Sequence, residues 1–275
     1  MKTSWQGAAA LVDPAVTMRW GAFYVAETRI RSMLKWWQSV IAFGFGNPIL
    51  YLLSVGIGIG SMVDPNAAFM EGQSYLTFLA PALLVSAGIQ GAMEEVTFPT
   101  LEGFFWERTF YAMNSTSITG RQIVDGVMLA SAARCFLQVL LYELVLLAFG
   151  AVTLASFVPL LVTAVVAGVA FASVMLAVTA FLKDDDGFLA IIGRFLITPM
   201  FMFSGTYYPI ESLPSYLQWI GWISPVWHST DFGRAISYGH PVTAATMVIH
   251  VLYFVVIAAI GFYVAYPKFA KKLAA

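Results

Sequence analysis

The amino-acid sequence predicts an all-α, polytopic integral membrane protein with six transmembrane helices, an N-terminal amphipathic interface helix and a re-entrant external helical hairpin before the sixth span. Of the 275 residues, 60% are hydrophobic and only 11% are charged, whereas a soluble domain would carry about a quarter charged residues. Several windows of about 20 mostly apolar residues are long enough to cross a bilayer. The net charge of -1 gives no basic surface for nucleic acid.

Six apolar segments are predicted to span the membrane. In chain order they are 39–62, 75–97, 126–150, 157–182, 188–204 and 244–266. The fifth segment is short and contains Pro199. The transmembrane domain is therefore assigned to 39–267, between an N-terminal region, 1–38, and a tail, 268–275. No cleaved signal peptide is expected, because the first 14 residues lack a sustained apolar core.

Lysine and arginine residues lie almost entirely on one side of the predicted spans. Only Arg234 lies on the opposite side, and two more arginines lie within spans. The remaining eleven are Lys2, Arg19, Arg29, Arg31, Lys35, Arg108, Arg121, Lys183, Lys268, Lys271 and Lys272. Because the side richer in Lys and Arg is the cytoplasmic one, both termini are predicted to face the cytoplasm.

Residues 21–38 are predicted to form an amphipathic helix in the cytoplasmic membrane interface. Glu27, Arg31 and Lys35 form a polar line at i, i+4 and i+8, and a pair of tryptophans ends the segment. Apolar residues recur at helical spacing on the other face; they are Phe23, Ala26, Ile30, Met33, Leu34 and Trp37. The alternative is that this segment is only the charged lead-in to the first span.

The segment 100–125 is too polar to span the membrane and too aromatic to be a free linker. A short helix is predicted over 104–114, followed by a turn at 114–116. Its aromatic residues are Phe104, Phe105, Trp106, Phe110 and Tyr111. An exposed apolar cluster on a cytoplasmic loop indicates a covering partner; the alternative is that the segment packs on the membrane face of its own chain.

The apolar pattern is interrupted between the fifth and sixth spans. Two short amphipathic pieces begin at Pro214 and Pro225, and Ser224 is the expected N-cap of the second. Neither piece is long enough to cross, and non-helical backbone at membrane depth needs protein or water around it. We therefore expect 205–239 to dip into the outer leaflet, with an ordinary external loop as the alternative. The residues expected at the interface are Trp219, Trp222 and Trp227.

Ionisable residues within the spans are costly and usually face the bundle interior. These residues are Glu94, Glu95, Arg134, Glu143 and Arg194. Arg134 and Glu143 are nine residues apart, which at about 100° per residue places them on opposite helix faces. One of the two glutamates near the cytoplasmic end of the second span is instead expected to pair with Arg134 or Arg194. A structural ion pair is preferred here to a substrate contact.

Other patterns are interpreted as structural. The acidic run in 183–187 is typical of a polar turn rather than a metal or phosphate site. The alternating glycines of 56–60 favour close helix packing, because no strand–turn–helix unit surrounds them as a nucleotide loop requires. The three histidines are too scattered in sequence to indicate a metal site. No catalytic residue, metal site or cofactor is therefore predicted in this chain, and any ATP must be bound by another chain.

Five stretches, in the same order, resemble four regions of the permeases of type-2 ABC exporters, and most closely of the nodulation-type lipooligosaccharide permeases and the drug-resistance permeases of actinobacteria. NPILYLLSVGIGIGSMV (47–63) resembles their first span, and YLTFLAPALLVSAGIQGAM (75–93) their second. FFWERTFYAMNSTSITGRQIVDG (104–126) is similar to their cytoplasmic segment. FSGTYYPIESLPSYLQ with SPVWHSTDFGRAISYG (224–239) is similar to their last external region.

This resemblance implies the permease subunit of an exporter in the cytoplasmic membrane of a bacterium, moving a lipid-linked glycan, lipooligosaccharide or other amphipathic molecule outward. It also implies a permease homodimer bound to two copies of a separate ATPase, which would hold ATP and Mg. The residues implied in ATPase coupling are Phe104, Phe105, Trp106, Glu107, Arg108 and Tyr111. Those implied in the external gate are Tyr207, Tyr208, Glu211, His228, Asp231 and Arg234.

Two alternatives to a permease remain open from the sequence. An intramembrane enzyme acting on lipid-linked sugars would need carboxylates or histidines gathered on the external face. A non-transporting membrane scaffold would recruit a cytoplasmic partner and would work without ATP hydrolysis by that partner.

Overall fold

The computed structural model describes residues 14–64, 67–183 and 187–274, and all regular structure within these ranges is helical. The α-helices are α1 (Pro14–Leu34), α2 (Trp37–Tyr51), α3 (Tyr75–Val96), α4 (Phe98–Phe104), α5 (Thr109–Asn114), α6 (Gly120–Ala148), α7 (Leu154–Phe181), α8 (Phe188–Ile192), α9 (Thr198–Met202), α10 (Ser215–Ile223), α11 (Pro225–Tyr238) and α12 (Ala244–Leu273). A π-helical segment, Leu52–Ile59, extends α2, and another, Gly193–Ile197, joins α8 to α9. Lys2 and the three aspartates of the predicted polar turn lie outside the described residues.

Five helices in the described part of the chain are long and apolar enough to cross a membrane. They are Trp37–Met62 (α2 with its extension), Tyr75–Phe104 (α3 continued by α4), Gly120–Ala148 (α6), Leu154–Phe181 (α7) and Ala244–Leu273 (α12). At the predicted fifth span the helix Phe188–Met202 is shorter, and at 1.5 Å per residue it extends roughly 22 Å, against about 30 Å of hydrocarbon. The all-helical, polytopic fold class is confirmed, with five candidate spans and one shorter apolar helix.

Helices α3, α6, α7 and α12 pack into the central bundle. Small residues permit close approach of α3 and α7: a Cβ added to Gly168 would lie 2.7 Å from the backbone of Gly88. Between α3 and α6 the hydroxyl of Ser131 donates to the carbonyl of Ala92 at 2.8 Å. In the π-helical extension of α2, a Cβ on Gly56 would meet the side chain of Leu76. Such contacts are typical of helix packing in membranes, where small residues and shared hydrogen bonds replace the hydrophobic driving force.

The interface helix differs in length from its prediction. It runs from Pro14 to Leu34 and ends before the tryptophan pair, instead of covering 21–38. Its buried side is Gly21, Val25 and Ala26, which face α6. Much of the predicted apolar face remains exposed, including Phe23 and Leu34.

The predicted helix over 104–114 is wrong. The segment forms two helices, α4 and α5, separated by the turn 105–108. Arg108 adopts a left-handed φ of 54°, a conformation uncommon for any residue but glycine, and it begins α5 in a new direction. The expected turn after Asn114 is present, and a capping box between Thr119 and Gln122 then starts α6.

Candidate functional site

The turn 105–108 is the exposed end of the segment 100–125, which is predicted to be cytoplasmic. Trp106 is 58% exposed, and Glu107 and Arg108 are also exposed. An aromatic ring and two opposite charges therefore project together from a short, sharply bent turn. Such a surface suits a partner that offers both an apolar pocket and polar contacts.

The remaining aromatic residues of the segment lie behind this turn. Phe104 is buried, with its ring centroid 5.0 Å from that of Phe110 and 4.9 Å from that of Phe269 in α12. The ammonium group of Lys272 lies 4.3 Å from the centre of the Phe104 ring and donates to the Leu182 carbonyl at 2.6 Å. Phe104 therefore supports the turn from inside and is not itself a contact surface. The half-buried members are Phe105 and Tyr111.

Arg29 attaches α1 to this segment. Its guanidinium lies 2.7 Å from the carboxylate of Glu95 and donates to the carbonyls of Pro99 at 2.8 Å and Glu95 at 3.1 Å. The same group lies 5.6 Å from the centre of the Phe110 ring. One cationic side chain thereby joins the interface helix, the end of α3 and the start of α4.

The expected ion pair is present, and it joins Arg134 on α6 to Glu94 on α3. The expectation that Glu94 faces the bundle interior is wrong for this single chain, because its side chain is 55% exposed. Arg194, the other candidate partner, lies on an exposed side of the helix Phe188–Met202, so the expectation that it faces the bundle interior is wrong for this single chain. Glu143 is fully buried, and neither of its carboxylate oxygens has a hydrogen-bond partner among the described residues. Arg134 and Glu143 therefore do not pair with each other, as predicted.

A polar groove begins at the Glu94–Arg134 pair. One cavity of about 470 Å³ is lined by this pair together with Trp36, and a second, of about 800 Å³, extends to Tyr207 near the external end. Both cavities are lined by the same three amide side chains: Asn47, Gln90 and Gln138. The groove therefore runs along most of the span between α2, α3 and α6.

The polar residues of the groove occur at helical spacing, which the sequence reading missed. On α3 they are Ser86, Gln90 and Glu94. On α6 they are Arg134, Gln138 and Tyr142, and on α2 and its extension they are Asn47, Tyr51 and Ser54. Each set follows i, i+4 and then i+7 or i+8, the repeat of one helix face. This helical periodicity could have predicted the groove from the sequence, but the apolar residues between the polar positions obscured it.

At the end of the bundle that is predicted to be external, the buried Arg234 on α11 links three elements. Its guanidinium donates to the Phe78 carbonyl at 3.3 Å and the Gly205 carbonyl at 2.9 Å, and lies 3.7 Å from the centre of the Phe78 ring. At the same end of the groove, which both tyrosines line, the hydroxyls of Tyr51 and Tyr207 are hydrogen-bonded at 2.6 Å. Burial lowers the pKa of Arg234 to about 10, still well above neutral pH. Arg234 is therefore a structural cation at the base of the external segment.

The three histidines, scattered in sequence, are brought together by folding. His228 on α11 and His250 on α12 are 2.8 Å apart through their Nδ1 atoms, and His250 Nε2 lies 3.0 Å from a carboxylate oxygen of Asp231. His240 lies 2.8 Å from Glu71 and 3.5 Å from the other oxygen of Asp231. No group suited to hold a metal ion is found among the described residues.

The predicted gate residues are thus only partly assembled. His228 and Asp231 share the histidine cluster, which the sequence reading did not extend to His250 because that residue lies in the sixth apolar segment. Tyr208 donates to the Met202 carbonyl at 2.8 Å, and Glu211 is exposed. Neither Tyr208 nor Glu211 contacts the cluster through a hydrogen bond in the described part of the chain.

Comparisons with known proteins agree on one family. The family model for the ABC-2 type transporter matches residues 24–238. Nodulation protein J of Rhizobium leguminosarum bv. viciae is 30% identical over 225 residues, covering 81% of this chain and 85% of the relative. Nodulation protein J of Sinorhizobium fredii is 27% identical over 267 residues, covering 96% and 97%. The inner membrane transport permease YadH of Escherichia coli K12 is 23% identical over 196 residues, covering 71% and 74%.

Proposed function

Since the chain belongs to the ABC-2 type transporter family and is thus the membrane component of an ABC transporter, we propose that it moves an amphipathic glycolipid outward across the cytoplasmic membrane of a bacterium. The family implies an ATP-binding partner subunit. We place ATP and Mg in that subunit, and both termini of this chain in the cytoplasm. This chain then contributes the path and the mechanical coupling, and no catalytic residue.

The polar groove is the observation that carries this proposal. Amide side chains at membrane depth are expensive next to lipid and are expected to face a cavity or a bound molecule. Asn47, Gln90 and Gln138 offer both donors and acceptors, which match the hydroxyl groups of a sugar. Trp36 and Phe43 beside them offer apolar surface. A substrate with a hydroxyl-rich head and an apolar tail fits both surfaces of the groove.

We propose that the exposed turn bearing Trp106, Glu107 and Arg108 docks into the ATP-binding subunit. The aromatic packing of Phe104 on Phe269 connects this turn to α12, and Arg29 connects it to α1. Docking forces can then pass from the turn to the bundle through side chains that are already packed.

The groove is open on one side in a single chain, which supports a homodimer. Closed symmetric dimers are the commonest assembly of identical chains. The exposed apolar residues Leu50, Leu53 and Phe195 lie on α2, its extension and the short fifth helix. A second copy of the chain, placed against these elements, would close the groove into a path.

The external segment 205–239 is proposed to be re-entrant. Gly233 on α11 lies against Pro81 of α3 and Leu160 of α7, each six residues into its helix. At 1.5 Å per residue, α11 thus reaches about 9 Å below the external ends of these helices. A helix at this depth that is surrounded by protein satisfies the condition for non-spanning structure in a membrane.

The enzyme alternative has one point in its favour, because His228, Asp231 and His240 do lie together. However, the ring nitrogens of His228 and His250 are engaged by other protein groups, and His250 is fully buried. General acid–base catalysis needs a group within hydrogen-bond reach of the substrate. We therefore retain the permease as the proposed function.

The proposal is tested by ATP-dependent uptake of a fluorescent lipooligosaccharide into inside-out vesicles that contain the permease and its ATPase. Q90L with Q138L is expected to lower uptake about tenfold or more, since each lost hydrogen bond contributes about 1 kcal/mol. F136L, at an exposed apolar position of α6, is the control and should leave uptake unchanged. Unchanged uptake in the glutamine variant would contradict the proposed path.

A further inference from the structure

The histidine cluster at the external end forms one continuous chain of polar contacts. In order, the contacts run from the Trp222 carbonyl to His228, His250, Asp231, His240 and Glu71. The side chains of its central members become less exposed with depth: His240 is 30% exposed, Asp231 17% and His250 0%. The chain thus connects the external surface to a buried pair of imidazoles.

The number of protons that His228 and His250 must carry follows from the three hydrogen bonds that their ring nitrogens make. His228 Nε2 lies 3.0 Å from the Trp222 carbonyl oxygen, which can only accept, so this nitrogen carries a proton. The contact between the two Nδ1 atoms needs one proton between them. The contact of His250 Nε2 with the Asp231 carboxylate needs a third. Two neutral imidazoles carry two protons, and therefore the three hydrogen bonds require one extra proton.

We propose that His228, His250 and Asp231 form a proton-binding site that holds one extra proton and fastens α11 to α12. Asp231 is the counter-ion of the positive charge, and His240, which bridges Asp231 and Glu71, is the group through which the proton exchanges with the external solvent. The proton would be bound whichever molecule the protein transports.

The location of the extra proton follows from the surroundings of each ring. Of the two rings, His250 is the one that contacts the Asp231 carboxylate, so the positive charge is assigned to His250 beside its counter-ion. Burial, and then the neighbouring His250, lower the pKa of His228 to about 4. The ring of Tyr253 stacks on His228 at 3.9 Å between ring centroids, and its hydroxyl donates to the Ile223 carbonyl. On its other side His250 faces apolar residues of α7, including Val166.

The other ionisable groups near the site do not take part in its chain of contacts. The guanidinium of Arg234 is bound to backbone carbonyls. Burial raises the pKa of Tyr238 to about 12, so this phenol stays neutral, and Glu211 lies outside the chain of contacts. Glu71 adopts a left-handed φ of 52°, which is uncommon for a non-glycine residue, and its carboxylate lies 2.8 Å from His240.

Loss of the extra proton would break the chain of contacts. Without it, one of the two short contacts of His250 would set two lone pairs against each other, either nitrogen against nitrogen or nitrogen against carboxylate. An unsatisfied polar contact of this kind is costly when buried. Deprotonation from the outside would therefore release α11 from α12.

The test is nitrogen NMR of the full-length protein in lipid nanodiscs, with only its three histidines labelled with ¹⁵N and assigned by H240Q and H228Q. Near pH 7, where an unperturbed histidine is mostly neutral, we expect the His250 ring to be doubly protonated, with a direct coupling through the N–H···N bond to His228. Raising the pH should abolish both the second His250 proton and the coupling. A singly protonated His250 ring near pH 7 would overturn the proposal.

A variant separates the role of Asp231 from the fold as a whole. D231N should lose the extra proton near pH 7, whereas E211Q, which removes an exposed carboxylate of the same external segment, should retain it. A D231N protein that keeps the doubly protonated ring would overturn the assignment of Asp231 as counter-ion. The wild-type titration is decisive even if D231N does not fold.

Discussion

The guanidinium of Arg29 lies 2.7 Å from the carboxylate of Glu95, although the two residues are 66 positions apart. Both side chains are nearly buried, at 11% and 7% exposure. Because Arg29 also holds the Pro99 carbonyl, the interface helix is fixed to the point where α3 passes into the cytoplasmic segment. This contact fixes α1 to the segment that we propose to dock into the ATP-binding subunit.

Replacing Arg29 is expected to destabilise the protein. R29A leaves the carboxylate of Glu95 buried without its partner, and breaking a buried pair costs about 3 kcal/mol. R31A is the matched control, since Arg31 pairs with Glu27 on the exposed side of the same helix, and exposed pairs contribute about 0.5 kcal/mol. Thermal unfolding in one detergent measures both. Equal thermal midpoints for the two variants would show that the contact of Arg29 with Glu95 does not stabilise the protein.

The pairing of Glu94 with Arg134 is tested by exchanging the charges. E94R and R134E should each reduce the amount of folded protein, because each places two like charges together at the start of the groove. The double variant restores an opposite pair and should recover the folded fraction. Size-exclusion chromatography of the detergent-solubilised protein gives the readout. If the double variant is no better than the worse single one, the pair is not formed in the membrane.

Close packing of α3 on α7 is tested at Gly168. G168A would place its Cβ 2.7 Å from the backbone of Gly88, so a helix must shift, and overpacking of this kind costs about 1–3 kcal/mol. G58A is the control, because a Cβ at Gly58 meets nothing within 4 Å. Thermal midpoints should fall for G168A and stay unchanged for G58A. A larger fall in the thermal midpoint for G58A than for G168A would show that α3 and α7 do not pack closely at Gly168.

Acid is expected to destabilise the protein through His228. The pKa of His228 is lowered by burial, and next by His250, from 6.5 to about 4. Between these pH values His228 itself is protonated in the unfolded state but not in the folded state, so its contribution to stability is fully present above about pH 6.5 and is lost as the pH falls toward 4. The unfolding midpoint of the wild type should therefore drop more steeply across this window than that of H228Q. Parallel curves would contradict the assignment.

The long helices could be predicted from sequence because apolar length alone defines them, as in α7. The start of α11 was also readable, since Ser224 accepts from the Val226 amide at 3.1 Å as an N-cap should and Pro225 follows it. Local chemistry sufficed in both cases. By contrast, nothing in FFWERTFYAMN opposes a continuous helix, so the left-handed Arg108 that divides it could not be foreseen.

The candidate site was less predictable because its parts come from distant helices. The pairing of His228 with His250 depends on how α11 packs against α12, and one-dimensional spacing carries no such information. Arg29 was counted only as a cytoplasmic charge, although its side chain joins three elements. The polar stripes of the groove, such as Ser86, Gln90 and Glu94, were readable in principle from their helical period.

The proposed function requires a separate ATPase that drives this permease through the exposed turn 105–108. This requirement is tested by purifying the tagged chain from its native host in a mild detergent and determining which proteins co-elute at stoichiometric amounts. We expect a co-eluting ATP-hydrolysing subunit that is lost when E107R is combined with R108E, and retained in the control E27R on the exposed face of α1. An intact dimer that elutes without any ATPase would overturn the proposed function.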